Sequence, residues 1–252
     1  MKFSIIVPSY NQPDYIEETL KNIIDIKELA EKHLCTIEVL LFDSESNIQV
    51  INIIEKYKPY FDFVEIKKDK GQFDAINKGI QKCTGDYWTW LNTDDTLNIE
   101  GFYKMVAILK EKPSTDYIYG SINYINEKSE FIKTCHAFQV DKHIMISKEP
   151  SIFQQGSFFR TSFTKKIGLL KEYNCCFDYE YVLRCLFNNA IVYKCDFIVA
   201  NFRQHAVSKT GSIVPVFIRE QLIISKEYGR KFFHFMTWFA NLRLIKHKVF
   251  PR

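Results

Sequence analysis

The feature that most limits the fold is a series of short apolar runs, each stopped by polar residues and separated from the next by an amphipathic segment. Residues 4–7 (SIIV) are stopped by Pro8. Residues 37–44 (IEVLLFDS), 61–68 (FDFVEIKK) and 86–91 (DYWTWL) repeat the pattern. Unbroken apolar runs of this length fit strands buried on both faces, as in a parallel sheet, better than a sheet with one wet face. Between them, Pro13 opens a helical stripe of Ile16, Leu20, Ile23 and Ile24, and DAINKGIQKC forms a second helix. Phe102, Met105, Val106 and Leu109 mark another helix over 101–111. Strand and helix alternate from residue 3 to about 112, which predicts an α/β layer with right-handed crossovers.

Ligands of such sheets bind beyond the carboxyl ends of the strands. Three polar strand ends qualify: PSYN after the first, DSES after the second and NTDD after the fourth. The last is the most demanding, because Asp94 and Asp95 sit side by side at the end of an apolar run. Adjacent carboxylates repel, and burying them costs solvation. A solvated or capping turn would account for the pair. So would a divalent cation, Mg²⁺ or Mn²⁺, whose other ligands are phosphate oxygens. Asp43, closing the second strand, falls near the same edge and can accept hydrogen bonds from a base or ribose.

Beyond residue 113 the alternation breaks down: strands are expected in DYIYGSINYI and IVYKCDFIVANFR, with the helix DYEYVLRCLFNN between them. One domain, 1–212, and a C-terminal helical tail, 213–252, are expected. From Arg230 to Arg252 the tail carries six Lys or Arg, no acid and six Phe or Trp. That composition suits either adsorption to an anionic membrane surface or packing on the domain. The net charge of +4 is too small to argue for nucleic acid. Seven cysteines, none spaced C-x-x-C, read as reduced thiols of a cytoplasmic protein. The apolar run at the N-terminus is too short for a signal peptide, and no stretch has the length of a membrane span.

The segment DKGQFDAINKGIQKCTGDYWTWLNTDD resembles the family-2 glycosyltransferases, and within them a bacterial subgroup with D-x-G-Q-x-D-A-I-N-K-G and W-L-N-x-D-D motifs. SIIVPSYNQPDYIEETL, EVLLFDSES, IFQQGSFFRTSFTKKIGLL, FDYEYVLR and NFRQHAVSKTG are similar to further blocks of the family, in order, over about residues 3 to 211. The resemblance implies a glycosyltransferase A-type fold and a nucleotide pocket lined by Pro8, Tyr10, Asn11, Asp43, Asp74, Asn77 and Asp94. It also implies a metal and diphosphate position at Asp94 and Asp95, joined by His205, and a catalytic base at Asp178. Gln155 and Glu180 would contact the acceptor or donor sugar, and Glu180 is a substitute base. The chain departs from the broader family at Asn92, where many members have Asp, at Ile76, where many have Arg, and at Phe177, where many have Glu.

The activity implied is inverting, metal-dependent transfer from a nucleotide-diphosphate sugar, UDP foremost, to a glycan or lipid-linked acceptor. The basic aromatic tail adds the expectation of a cytoplasmic enzyme peripheral on the inner membrane face. The residues fit that chemistry: the cation offsets charge on the leaving diphosphate, and a carboxylate on the opposite face deprotonates the acceptor hydroxyl. A sugar nucleotidyltransferase would carry a glycine-rich loop after the first strand, where this chain has PSYNQPDY. A catalytically inactive scaffold would be expected to lack Asp94, Asp95 or Asp178, and all three are present.

Overall fold

The computed structural model describes residues 1–147, 152–205 and 214–230. Of the C-terminal tail only residues 214–230 are described; the basic aromatic stretch 231–252, expected either to adsorb to a membrane or to pack on the domain, lies outside the described residues. The chain divides into two compact units. The first comprises residues 1–138, 153–169 and 190–204, and the second residues 139–152, 170–189 and 205–252.

The first unit is built on one mixed sheet of nine strands. They are β1 (Lys2–Ser9), β2 (Thr36–Asp43), β3 (Phe63–Ile66), β4 (Tyr87–Trp90), β5 (Thr96–Leu97), β6 (Tyr117–Ile125), β7 (Phe131–Cys135), β8 (Ser157–Arg160) and β9 (Val192–Arg203). Their order is β3-β2-β1-β4-β8-β6-β9-β5, with β7 paired to β6. The four strands β3, β2, β1 and β4 are mutually parallel, whereas β8 is antiparallel to both β4 and β6. Helices α1 (Ile16–Leu29), α2 (Ile48–Tyr57), α3 (Gln72–Lys82), α4 (Ile99–Glu111) and α6 (Thr161–Ile167) belong to this unit. In the second unit lie α5 (Lys142–Ser147), α7 (Phe177–Phe187) and α8 (Val214–Glu227).

The four apolar runs are the four parallel strands, and Phe3 to Ser9 of β1 are all buried. Pro8 does not stop β1 as the sequence suggests, and the register explains why. The Ile6 carbonyl accepts from the Leu91 N–H, so Ile6 and its alternate neighbour Pro8 face the β4 side. The last registered pair there is Ile6 with Trp90. The proline therefore takes no hydrogen bond out of the ladder. Helix α3 sits close on β1: a Cβ at Gly79 would come within 2.4 Å of the Ile6 side chain. Behind the sheet Phe3, Phe102 and Phe158 pack edge-on or tilted around one another.

The strand order turns at β1: the connections from β1 to β2 and β3 run one way, and the chain then crosses back to place β4 on the other side. The carboxyl ends of β1 and β4 thus flank a topological switch point, the place where open α/β sheets hold ligands.

Candidate active site

Immediately after β4, Asn92 to Asp95 form a turn closed by the Asp95 N–H donating to the Asn92 carbonyl at 3.1 Å. Asparagine is favoured at the first position of such a turn. The two aspartates of this turn are not equivalent. Asp95 is wholly buried, and Asp94 is 8% exposed. Asp95 Oδ1 accepts from the Arg203 main-chain N–H at 3.0 Å, and Oδ2 from Gln155 Nε2 at 3.1 Å and Asn92 Nδ2 at 3.4 Å. Its carbonyl takes the Thr19 hydroxyl at 2.8 Å. All these donors are neutral. Burial, and next the charge of Asp94, push the Asp95 carboxyl well above the ordinary range; its hydrogen bonds only partly offset them.

Asp94 Oδ2 receives Gln12 Nε2 at a long 3.4 Å, while Gln12 Oε1 accepts from the Thr93 hydroxyl. Asn92 faces Gln72, whose Nε2 donates to Asn92 Oδ1 at 2.6 Å. Asn92 is therefore an amide relay, accepting from Gln72 and donating to Asp95. An aspartate in its place could not donate to Asp95 and would add a third carboxylate. That is a physical reason for the departure at this position.

The other strand ends are more committed than the sequence suggests. Asp43 is buried, and its oxygens accept from the Ser46 N–H (2.8 Å), the Ser46 hydroxyl (2.6 Å) and the Ser9 hydroxyl (2.6 Å). Asn11 adopts a left-handed conformation (φ 50°), and its Oδ1 accepts from Asn47 N–H, the residue that caps α2. The two loops are thus tied together, leaving Tyr10 (62% exposed) as the outward surface of the β1 end, with Pro8 buried beneath. Asp74, in the first turn of α3, accepts from the Lys70 N–H at 3.2 Å and lies 3.9 Å from Lys78 Nζ. Asn77 is half-buried on the same helix.

Gln155, expected as a sugar contact, gives its amide nitrogen to Asp95. Gln154 likewise donates inward, to the Trp90 carbonyl at 2.7 Å. The sequence reading missed Gln12, Thr19, Gln72 and Arg203. Gln72 and Arg203 stand inside the motif segments DKGQFD and NFRQH, so position in a motif was the available signal. Gln12 and Thr19 likewise stand inside the block SIIVPSYNQPDYIEETL.

In the second unit, Asp178 lies in the first turn of α7 and is half-buried. Burial raises its carboxyl to about 6, the Tyr179 N–H holds it down in part, and Glu220 adds to the rise. Glu180 requires a correction. It is wholly buried, its Oε2 pairs with Arg184 at 2.7 Å, and its Oε1 takes Lys171 at 3.2 Å and the Tyr228 hydroxyl at 2.7 Å. A carboxylate so fully engaged is a brace within the unit, neither a sugar contact nor a substitute base. Glu220 plays a similar part, accepting from the main-chain N–H groups of Asn174, Cys175 and Cys176 ahead of α7. His205, at the end of a described stretch, is buried.

Comparison with known proteins identifies the family and the fold. The profile of Glycosyl transferase family 2 matches residues 4–180. A PGL/p-HBAD biosynthesis glycosyltransferase of Mycobacterium bovis is 25% identical over 232 residues, which cover 90% of this chain and 86% of that protein. A poly-beta-1,6-N-acetyl-D-glucosamine synthase of Staphylococcus aureus is 27% identical over 128 residues, half of this chain and 30% of the synthase. Among solved structures, S. aureus TarS 1–349 in complex with UDP-GlcNAc superposes with a TM-score of 0.66 at 18% identity, covering all of this chain and 74% of TarS 1–349. A mannosyltransferase from Pyrobaculum calidifontis in complex with GDP-Man and Mn²⁺ gives 0.61 at 17% identity, over 88% of this chain and 62% of that one. The fold is the glycosyltransferase A type.

Proposed function

Since the chain belongs to glycosyltransferase family 2, we propose that it transfers a sugar, with inversion, from a nucleotide-diphosphate donor to a hydroxyl of a glycan or lipid-linked acceptor. The observation that carries the reading is the turn after β4. It holds two adjacent carboxylates beside the switch point, one of them surrounded only by neutral donors. Charge left uncompensated in this way would suit a divalent cation, which would offset charge on a diphosphate.

The donor set fits Mg²⁺ or Mn²⁺, which prefer oxygen ligands. Asp94 would hold the ion, with Asp95 bracing the turn behind it, and His205 is kept as a further ligand on family resemblance. When bound, the cation supplies charge neutralisation to the leaving diphosphate. Tyr10 offers an exposed ring for a base to stack on. Asp74 and Asn77 on α3 complete the nucleotide-facing set.

Asp178 is the general base of the proposal. A carboxyl raised to about 6 binds a proton more strongly than an ordinary aspartate, yet is largely ionised at neutral pH. It accepts the acceptor hydroxyl's proton as the sugar–phosphate bond breaks, and attack from the face opposite the diphosphate inverts the anomeric centre without a covalent enzyme intermediate. UDP is the first donor nucleotide to test, since TarS binds UDP-GlcNAc.

Among the described residues no helix is long and apolar enough to cross a membrane. A peripheral position reached through the basic aromatic tail belongs to the proposal. The deciding experiment incubates the protein with UDP- and GDP-sugars and acceptor fractions, with Mn²⁺ or with EDTA, following nucleotide release and the anomeric proton of the product. Mn²⁺-dependent release with an inverted anomer supports the reading. Metal-independent release or retention would refute those parts of it.

A further inference from the structure

One of the largest wholly buried side chains is a cation, Arg203, and its donors converge on the turn just described. The residue is 1% exposed. Its main-chain N–H holds Asp95 Oδ1 (3.0 Å), and its Nε donates to the Asp94 carbonyl (2.9 Å). Nη1 reaches the Asn126 carbonyl (3.1 Å) and the Ser129 hydroxyl (2.9 Å) in the turn between β6 and β7. Nη2 pairs with Glu18 of α1 at 2.7 Å, and the guanidinium lies 5.0 Å from the centroid of the Tyr15 ring.

This arrangement does two things. It fastens α1, the β6–β7 turn and the end of β9 to both residues of the aspartate pair. It also directs the guanidinium at an Asp94 main-chain oxygen, at Ser129 and at Glu18, and meets Asp95 only through the neutral backbone. The fork therefore fixes the backbone that carries the Asp94 carboxylate and makes no direct ion pair with Asp95. A lysine cannot reproduce this, since a single ammonium lacks the planar set of five donors.

We propose that Arg203 is a positioning residue of the donor site, holding the Asp94–Asp95 turn in the geometry that binds cation and diphosphate. The inference rests on the donor-site reading given above. Glu18 and Ser129 belong to the same device because they fix the far side of the guanidinium. Asn92 and Gln72 steady the turn from its other side.

The test uses the full chain and two readouts. Hydrogen–deuterium exchange without ligand reports the brace, and UDP titration with Mn²⁺ reports its consequence. Arg203→Lys is expected to raise exchange at residues 92–97 and 126–129 while β1 and β2 stay protected. It should weaken Mn²⁺-dependent UDP binding about tenfold, the scale of one charge-assisted hydrogen bond. Asp94→Asn should then cost less in the Arg203→Lys background than in the wild type. A merely structural arginine would leave the two effects additive.

Wild-type affinity in a folded Arg203→Lys protein, or strict additivity, overturns the proposal. If that variant does not fold, Glu18→Gln removes one half-exposed partner. It should give the same two signatures at about threefold amplitude; no change in either overturns the proposal. A wild-type protein that binds no nucleotide defeats the donor-site reading instead, and the ligand-free exchange separates that result from a failure of the brace.

Discussion

Glu38 and Asp95 are both buried carboxylates of the first unit, close to opposite ends of the same parallel strands, and they are treated in opposite ways. Glu38, near the start of β2, receives Lys2 Nζ (2.8 Å), the Ser4 hydroxyl (2.5 Å) and the N–H and hydroxyl of Thr84 (2.8 and 2.7 Å). Burial alone would raise its pKa, but Lys2 and these hydrogen bonds outweigh it and hold the group down at about 2. Asp95, beyond the end of β4, is held by neutral donors, stands beside a second carboxylate and is pushed up. Counter-charge and full hydrogen bonding mark a carboxylate that belongs to the scaffold. Burial with neutral donors leaves charge for something that binds. The second unit repeats the contrast: Glu180 is paired with Arg184 and Lys171, whereas Asp178 is raised to about 6.

The largest effect expected from this contrast is at Asp178. Asp178→Asn should retain nucleotide binding and lose transfer by ~10²–10⁴-fold, the range of a removed general base. In the wild type, transfer should rise as pH rises through about 6. The sign for stability is opposite. A folded pKa above the ordinary 3.8 favours the folded state at low pH, and that contribution is lost as pH rises through about 6. Asp178→Asn should therefore be more stable than the wild type at neutral pH, by on the order of 1 kcal/mol. Thermal unfolding beside a pH–rate profile checks both. A variant that is active, or less stable, would move Asp178 into the scaffold class.

Asn92→Asp probes the uncompensated end directly. It replaces the Asp95 donor by a third acceptor, so in EDTA stability should fall by about 1–3 kcal/mol. Mn²⁺ should restore more of it than Mn²⁺ adds to the wild type. Equal Mn²⁺ effects on the two proteins would show that the pair does not respond to a cation.

Glu38→Gln is the counterpart at the scaffold end, with a cost of about 1–3 kcal/mol at neutral pH and an unchanged rate of transfer. A depressed pKa gives stability that is present above the ordinary 4.5 and lost as pH falls toward about 2. The gap between wild type and variant should close across that window in urea titrations. A gap independent of pH would mean that the Lys2 pairing contributes nothing.

Much of this was legible in the sequence because apolar runs and their polar stops are local. The four parallel strands and helices α1, α3 and α4 follow from periodicity, and the aspartate pair from its place after DYWTWL. The braces were not legible. Thr19 and Asp95 are 76 residues apart, and Arg203 and Glu18 are 185 apart. Pairings at that separation exist only once β9 and α1 have been brought beside the turn. The role given to Glu180 failed for the same reason, because Lys171 and Tyr228 approach it from other segments. Pro8 misled in the opposite direction: a local rule about proline yielded to the register of β1 with β4.

The most direct test of the central claim, that Asp94 and its braced neighbour keep charge for a cation and a diphosphate, is calorimetric titration of wild type and Asp94→Asn with UDP, in Mn²⁺ and in EDTA. The account predicts saturable binding by the wild type that disappears in EDTA and is lost in a folded Asp94→Asn protein. Binding that is indifferent to both the metal and the substitution would contradict it.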